Sequence, residues 1–144
     1  MMPPAAAAAQ LASPEVKMAD DTEPDYHHLL SSNFERVFSE PDVTKRRTAI
    51  KELYVANPVF YEPTAVVVGQ EAISEAVSKL FQQFGARFAI VADGSAVGHH
   101  GVGCLRWYAG TRGANPVARG IDAAEIVGGK ISRLWVLFDP VARG

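Results

Sequence analysis

The chain has 144 residues, room for one domain, and a formal net charge of −2 with 48 % hydrophobic and 21 % charged residues. That balance supplies no field to gather a polyanion, which argues against a nucleic-acid partner. Cys104 is the single cysteine, so no intrachain disulfide is possible and a reducing, cytoplasmic setting is expected. No apolar run approaches the roughly 18 residues that a bilayer span needs, so no membrane association is expected.

Residues 1–24 are Ala- and Pro-rich and then acidic, without periodicity, and read as a disordered tail. The first ten are apolar but lack an early Lys or Arg, unlike a signal peptide. Residues 25–144 form the expected domain, and its ~120 residues suffice for a core without disulfides or metals. Asp25 reads as the N-cap of a first helix on which Leu29, Leu30, Phe34, Val37 and Phe38 recur at helical spacing, ending before Pro41. A second helix is predicted over 44–55, with Ile50, Leu53 and Tyr54 on its apolar side. A short strand over 58–63 lies between prolines, and another over 66–68 is closed by Gly69. The third helix, 71–84, carries Ile73, Val77, Leu80, Phe81 and Phe84 at the same period. Strands follow over 88–92, 97–108, 117–127 and 130–138, the last two joined by a tight Gly128-Gly129 hairpin. Helices followed by an antiparallel meander indicate an α+β domain with the helices on one face of a curved sheet.

Three motifs sharpen this: Tyr54-Val55-Ala56-Asn57-Pro58-Val59-Phe60-Tyr61-Glu62-Pro63; Gly69-Gln70-Glu71-Ala72-Ile73; and Gly120-Ile121-Asp122 followed by Gly128-Gly129-Lys130-Ile131 and Phe138-Asp139. In their order and spacing they resemble the nuclear transport factor 2-like superfamily, particularly its SnoaL-like and ketosteroid isomerase-like members. The resemblance covers nearly everything after Asp25. It implies a cone of three helices packed on a strongly curved, mostly antiparallel sheet, with a pocket at the wide end. It also implies a cofactor-independent isomerase, cyclase or hydrolase acting on a small apolar molecule, and a homodimer formed through the outer sheet face. The same architecture hosts non-catalytic ligand-binding and assembly modules.

Alternation on the 117–127 strand places Asp122 with Ala118, Gly120, Ala124 and Ile126, a small apolar face bearing one carboxylate. Burial there raises a carboxyl pKa, so Asp122 can donate a hydrogen bond while neutral or act as acid/base near neutral pH. The resemblance puts it where ketosteroid isomerase has the protonated Asp of its oxyanion hole. Glu62, which shares a face with Phe60, stands where those enzymes carry a proton-abstracting Asp. Phe34 falls near the position of their oxyanion-hole Tyr and has no hydroxyl; Tyr26 or Tyr54 would have to substitute. His99 is a third candidate, as a proton shuttle at a strand mouth. If Trp107 faces inward so do Leu105, Gly103, Gly101 and His99; if Arg106 does, then Cys104, Val102 and His100 follow. Phe34, Tyr54, Phe60, Val77, Trp107 and Phe138 are the expected walls. No metal site is expected, because the His and carboxylate residues show no ligand spacing. Cys104 reads as an inert buried thiol. Trp135, beside Arg133 and Leu137 on the opposite face of the last strand, marks the expected dimer interface.

Overall fold

The structure, a computed structural model, describes residues 23–140, so of the tail expected over 1–24 only Glu23 and Pro24 are described. Helix α1 (Tyr26–Asn33) begins at Asp25, whose carboxylate accepts the His28 N–H at 2.9 Å and satisfies one of the free amides of the first turn. It runs directly into a π-helical turn, Phe34–Phe38, that the hydrophobic spacing does not signal. Ser39 then anchors the chain to the sheet, its hydroxyl donating to the Ile90 carbonyl at 3.1 Å and accepting the Ile90 N–H at 2.8 Å. Helix α2 (Val43–Leu53) is capped by Asp42, which accepts the Lys45 N–H at 3.0 Å. It stops short of the predicted end because Tyr54 is already extended and pairs with Ile131. Strand pairing overrides the local helical period there.

The remaining elements are β1 (Tyr54–Glu62), β2 (Ala65–Val68), α3 (Gln70–Phe84), β3 (Phe88–Ala92), β4 (Val97–His99), β5 (Val102–Thr111), β6 (Ala118–Val127) and β7 (Lys130–Phe138). The single strand predicted over 97–108 is therefore two. His100 (φ 52°) and Gly101 (φ 84°) form a two-residue turn with both central residues at positive φ, and His99 pairs with Val102 across it. Tyr26 clamps this turn: its hydroxyl accepts the Gly101 N–H at 2.7 Å and donates to the Glu23 carboxylate at 3.0 Å, which also accepts the His100 N–H. Gly98 is needed for the close approach, since a Cβ there would lie 2.8 Å from Tyr26 Cγ.

The sheet runs β2-β1-β7-β6-β5-β3 with β4 also on β5; only β1–β7 is parallel. Its inner face supplies Phe60, Leu105, Trp107, Ala124, Ile131 and Leu134 to a core completed by Leu30, Phe34, Val37, Ile50, Leu53 and Ile73 of the helices. Each of the Leu, Ile, Val and Phe side chains among these, fully buried, contributes about 1.5–3 kcal/mol. Between α2 and α3 lies the fully buried Arg46. Its Nε donates to Ser74 Oγ at 3.1 Å, Nη1 to the Glu40 carbonyl at 2.7 Å and Nη2 to Ser78 Oγ, with Cζ 5.9 Å above the Phe81 ring. Its donors thus meet hydroxyl and carbonyl oxygens, and burial lowers its pKa from the ordinary arginine value.

Candidate functional site

Register across the central strands decides which side chains share a level of the cone. Phe60, Leu134, Ala124 and Gly103 are successive cross-strand partners through β1, β7, β6 and β5. Two residues on, Val136, Asp122 and Leu105 are partners, and continuing the Tyr61–Trp135 parallel register sets Glu62 beside Val136. Glu62 and Asp122 therefore occupy one inward row, two strands apart, with backbones about 10 Å apart at the usual strand spacing. Val136 lies between them.

Against this row stands a cavity of about 640 Å³, enclosed by the inner sheet face, α3 and the β1–β2 hairpin. Phe38, Phe60, Phe88, Trp107, Val136 and Phe138 give it an apolar wall, and Glu62 faces it directly. Asp122 is only 4 % exposed, and the wall beside it is made by Trp107 and Val136, not by its own carboxyl. Asp122 Oδ1 accepts the Trp107 Nε1–H at 2.8 Å. Burial raises the Asp122 pKa to about 7, outweighing the opposing effect of that hydrogen bond. The Trp107 ring meets Phe138 edge-on, with centroids 5.5 Å apart at 89°. It lies over Gly120, where a Cβ would sit 2.6 Å from Trp107 Cζ2.

On β6, Gly120, Asp122, Ala124 and Ile126 are buried and Ala118 is half-buried, and of the two registers for β5 the chain takes the one with Trp107 inward. Several expected site residues are elsewhere. His99 belongs to β4, because the chain reverses at His100-Gly101. Its exposed ring, with Nδ1 3.0 Å from His100 Nδ1, lies at the far end of β5 from the cavity. Phe34 and Val77 are packed in the core, off the wall. The π-turn brings Phe38 to the cavity in place of Phe34, 5.5 Å from the Phe60 ring. Tyr54 is buried too, its hydroxyl donating to Asn33 Oδ1 at 2.5 Å, and burial, then the Asp122 charge, holds its pKa well above the ordinary tyrosine value. Neither Tyr54 nor Tyr26, which closes the β4–β5 turn, replaces the missing hydroxyl of Phe34 at the wall. Cys104 is half-buried on the outer face, not sealed in the core, because Leu105 takes the inward position.

Sequence reasoning missed one wall. Ala72, Glu75, Ala76, Lys79 and Gln83 of α3 line the cavity beside Leu80. Their spacing at intervals of three and four was visible, but a polar helical stripe ordinarily faces solvent. On the outer face Tyr61 stacks on Trp135, with centroids 5.0 Å apart at 13°. Among the described residues no cluster of three or more His, Cys, Asp or Glu suits a metal ion, and no helix is long and apolar enough to cross a membrane.

Element order and sheet order are those of a nuclear transport factor 2-like cone, the fold of SnoaL-like and ketosteroid isomerase-like proteins. Among solved structures, a SnoaL-like family protein from Agrobacterium tumefaciens str. C58, named as an isomerase, matches with a TM-score of 0.73 and 20 % identity over 81 % of this chain and 98 % of its own. A protein from Jannaschia sp. CCS1 named as a SnoaL-like polyketide cyclase matches with a TM-score of 0.63 and 13 % identity, covering 85 % of this chain and 91 % of its own. A nuclear transport factor 2-like protein of unknown function from Cytophaga hutchinsonii ATCC 33406 matches at 0.60 and 19 %, covering 84 % and 96 %. By sequence, neither a family model nor a curated protein matches the chain.

Proposed function

We propose that this chain is a cofactor-independent, SnoaL-like enzyme of the isomerase, cyclase or hydrolase type that moves a proton on a small, largely apolar carbonyl compound. The observation that carries this reading is the row Glu62–Val136–Asp122 beside an aromatic cavity of about 640 Å³. Its two carboxyls lie in different surroundings, one on the open wall and one buried with its pKa raised to about 7. This split supports different roles. Glu62, on the cavity wall, takes a proton from carbon beside the carbonyl and returns it, while Asp122, reached when Trp107 and Val136 part as substrate enters, supplies the hydrogen bond for the developing oxyanion. Phe60, Trp107 and Phe138 hold the apolar body of the substrate. The protein acts in the cytoplasm as a homodimer built on the outer sheet face around Trp135 and Arg133.

The test is exchange of α-protons with D2O, followed by NMR, across a panel of aromatic and alicyclic ketones. Glu62→Gln should slow exchange by roughly 10²–10⁴-fold, the usual worth of a positioned general base. Exchange that is unchanged in both Glu62→Gln and Asp122→Asn overturns the reading. A second reading, a binding protein without chemistry, draws on Phe34, which has no hydroxyl, and on Asp122, which stays behind the wall. Under it, ligands raise the melting temperature equally in wild type and Asp122→Asn, and no exchange occurs.

A further inference from the structure

Asp122 is held from one side only. Oδ1 accepts the Trp107 indole N–H at 2.8 Å, whereas no hydrogen bond reaches Oδ2 from the described residues. An indole nitrogen donates and never accepts, so Oδ1 must be the acceptor in both protonation states of the carboxyl. The ring that makes this bond is itself fixed. It is 2 % exposed, meets Phe138 edge-on and occupies the space that a side chain at residue 120 would need.

We propose that Trp107 is a positioning residue that keeps the acidic proton of Asp122 on Oδ2 and holds that oxygen in one orientation. A carboxylic acid free to rotate presents its hydroxyl and its carbonyl oxygen alternately. Here only one arrangement satisfies the indole, so the donor oxygen is predetermined and no reorganisation is needed at the moment of proton transfer. The inference rests on the proposed acid role of Asp122 for its meaning, but its geometry is independent of any substrate. The Asp122 charge, after burial, raises the pKa of Tyr54 of β1, and Glu62 lies in the same row two strands away.

The experiment is a carboxyl ¹³C NMR titration of Asp122 in the free protein, with the Trp107 indole proton followed in the same samples. Trp107→Phe keeps an aromatic wall and removes the donor. Because the donor favours the charged carboxylate, its loss should raise the Asp122 midpoint by about one pH unit. Phe84→Leu, which removes an aromatic ring stacked on Phe88 away from the Asp122 row, should leave the midpoint in place. In wild type the indole proton should shift with the same midpoint as the carboxyl, a readout that survives even if Trp107→Phe fails to fold. An unmoved midpoint in a folded Trp107→Phe, or an indole proton indifferent to the Asp122 titration, overturns the proposal. Loss of the enzymatic reading would show as absent α-proton exchange with both NMR signatures intact, so the two failures are distinguishable.

Discussion

At the scale of single residues, the consequence of burying Asp122 is a measurable cost. Its carboxyl titrates at about 7 in the folded chain and near 3.8 when exposed, so the folded state keeps a proton that the unfolded state releases between those values. The contribution of Asp122 to stability is therefore most favourable below about pH 4, declines as pH rises to about 7 and is flat beyond. Over that window the loss approaches about 4 kcal/mol. Urea unfolding of wild type and Asp122→Asn from pH 4 to 8 should show a decline in the first that is absent in the second. A parallel pH dependence in both would contradict the burial of a neutral acid. The inward placement of Asp122 was legible in the sequence, because strand alternation isolates one carboxylate on a face of Gly and Ala. Its depth behind Trp107 was not, since that depends on which neighbouring strand supplies the larger side chain.

Elements fix what residues alone leave open. The helices and strands were readable to within a few positions wherever period and punctuation agreed, as in β3 and β7, whose bounds match the expected ones. They were misread where a tertiary contact competes with the local pattern. Tyr54 has helical spacing but pairs with Ile131, and His100 takes a positive φ that histidine rarely adopts because Tyr26 and Glu23 hold the adjoining amides. The polar stripe of α3, with Glu75, Lys79 and Gln83 exposed, also lines the cavity, which helical period alone does not signal. The β5–β6 pair carries its own test. Gly120→Ala drives a methyl against the Leu137 carbonyl oxygen and to 2.6 Å from Trp107 Cζ2, and should cost about 1–3 kcal/mol in denaturant unfolding. It should also weaken the Trp107–Asp122 bond, seen as an altered indole proton shift; a neutral substitution would mean that both the β7 backbone and the ring can give way.

For the whole molecule, the cone leaves a second surface to account for. The outer sheet face presents the Tyr61–Trp135 stack, Leu137 and Arg133, and a homodimer formed there would cover it. Sedimentation should give a two-chain mass for wild type and a one-chain mass for Trp135→Glu; a dimer that survives the substitution would place the interface elsewhere. The parallel β1–β7 pairing also has a bearing on how the molecule is made. It joins Tyr61 to Trp135 across α3 and five intervening strands, while every other strand pairing among the described residues is antiparallel. Long loops must close before such a pairing gains anything, so it belongs to the slow, late part of assembly. Glu62 and Asp122 come onto one row only through β7, which sits between their strands. A nascent chain that has not yet docked its last strand holds both carboxylates and most of the aromatic wall, yet has no site. Under the proposed function, activity would then report complete folding, because an unfinished chain has no assembled site.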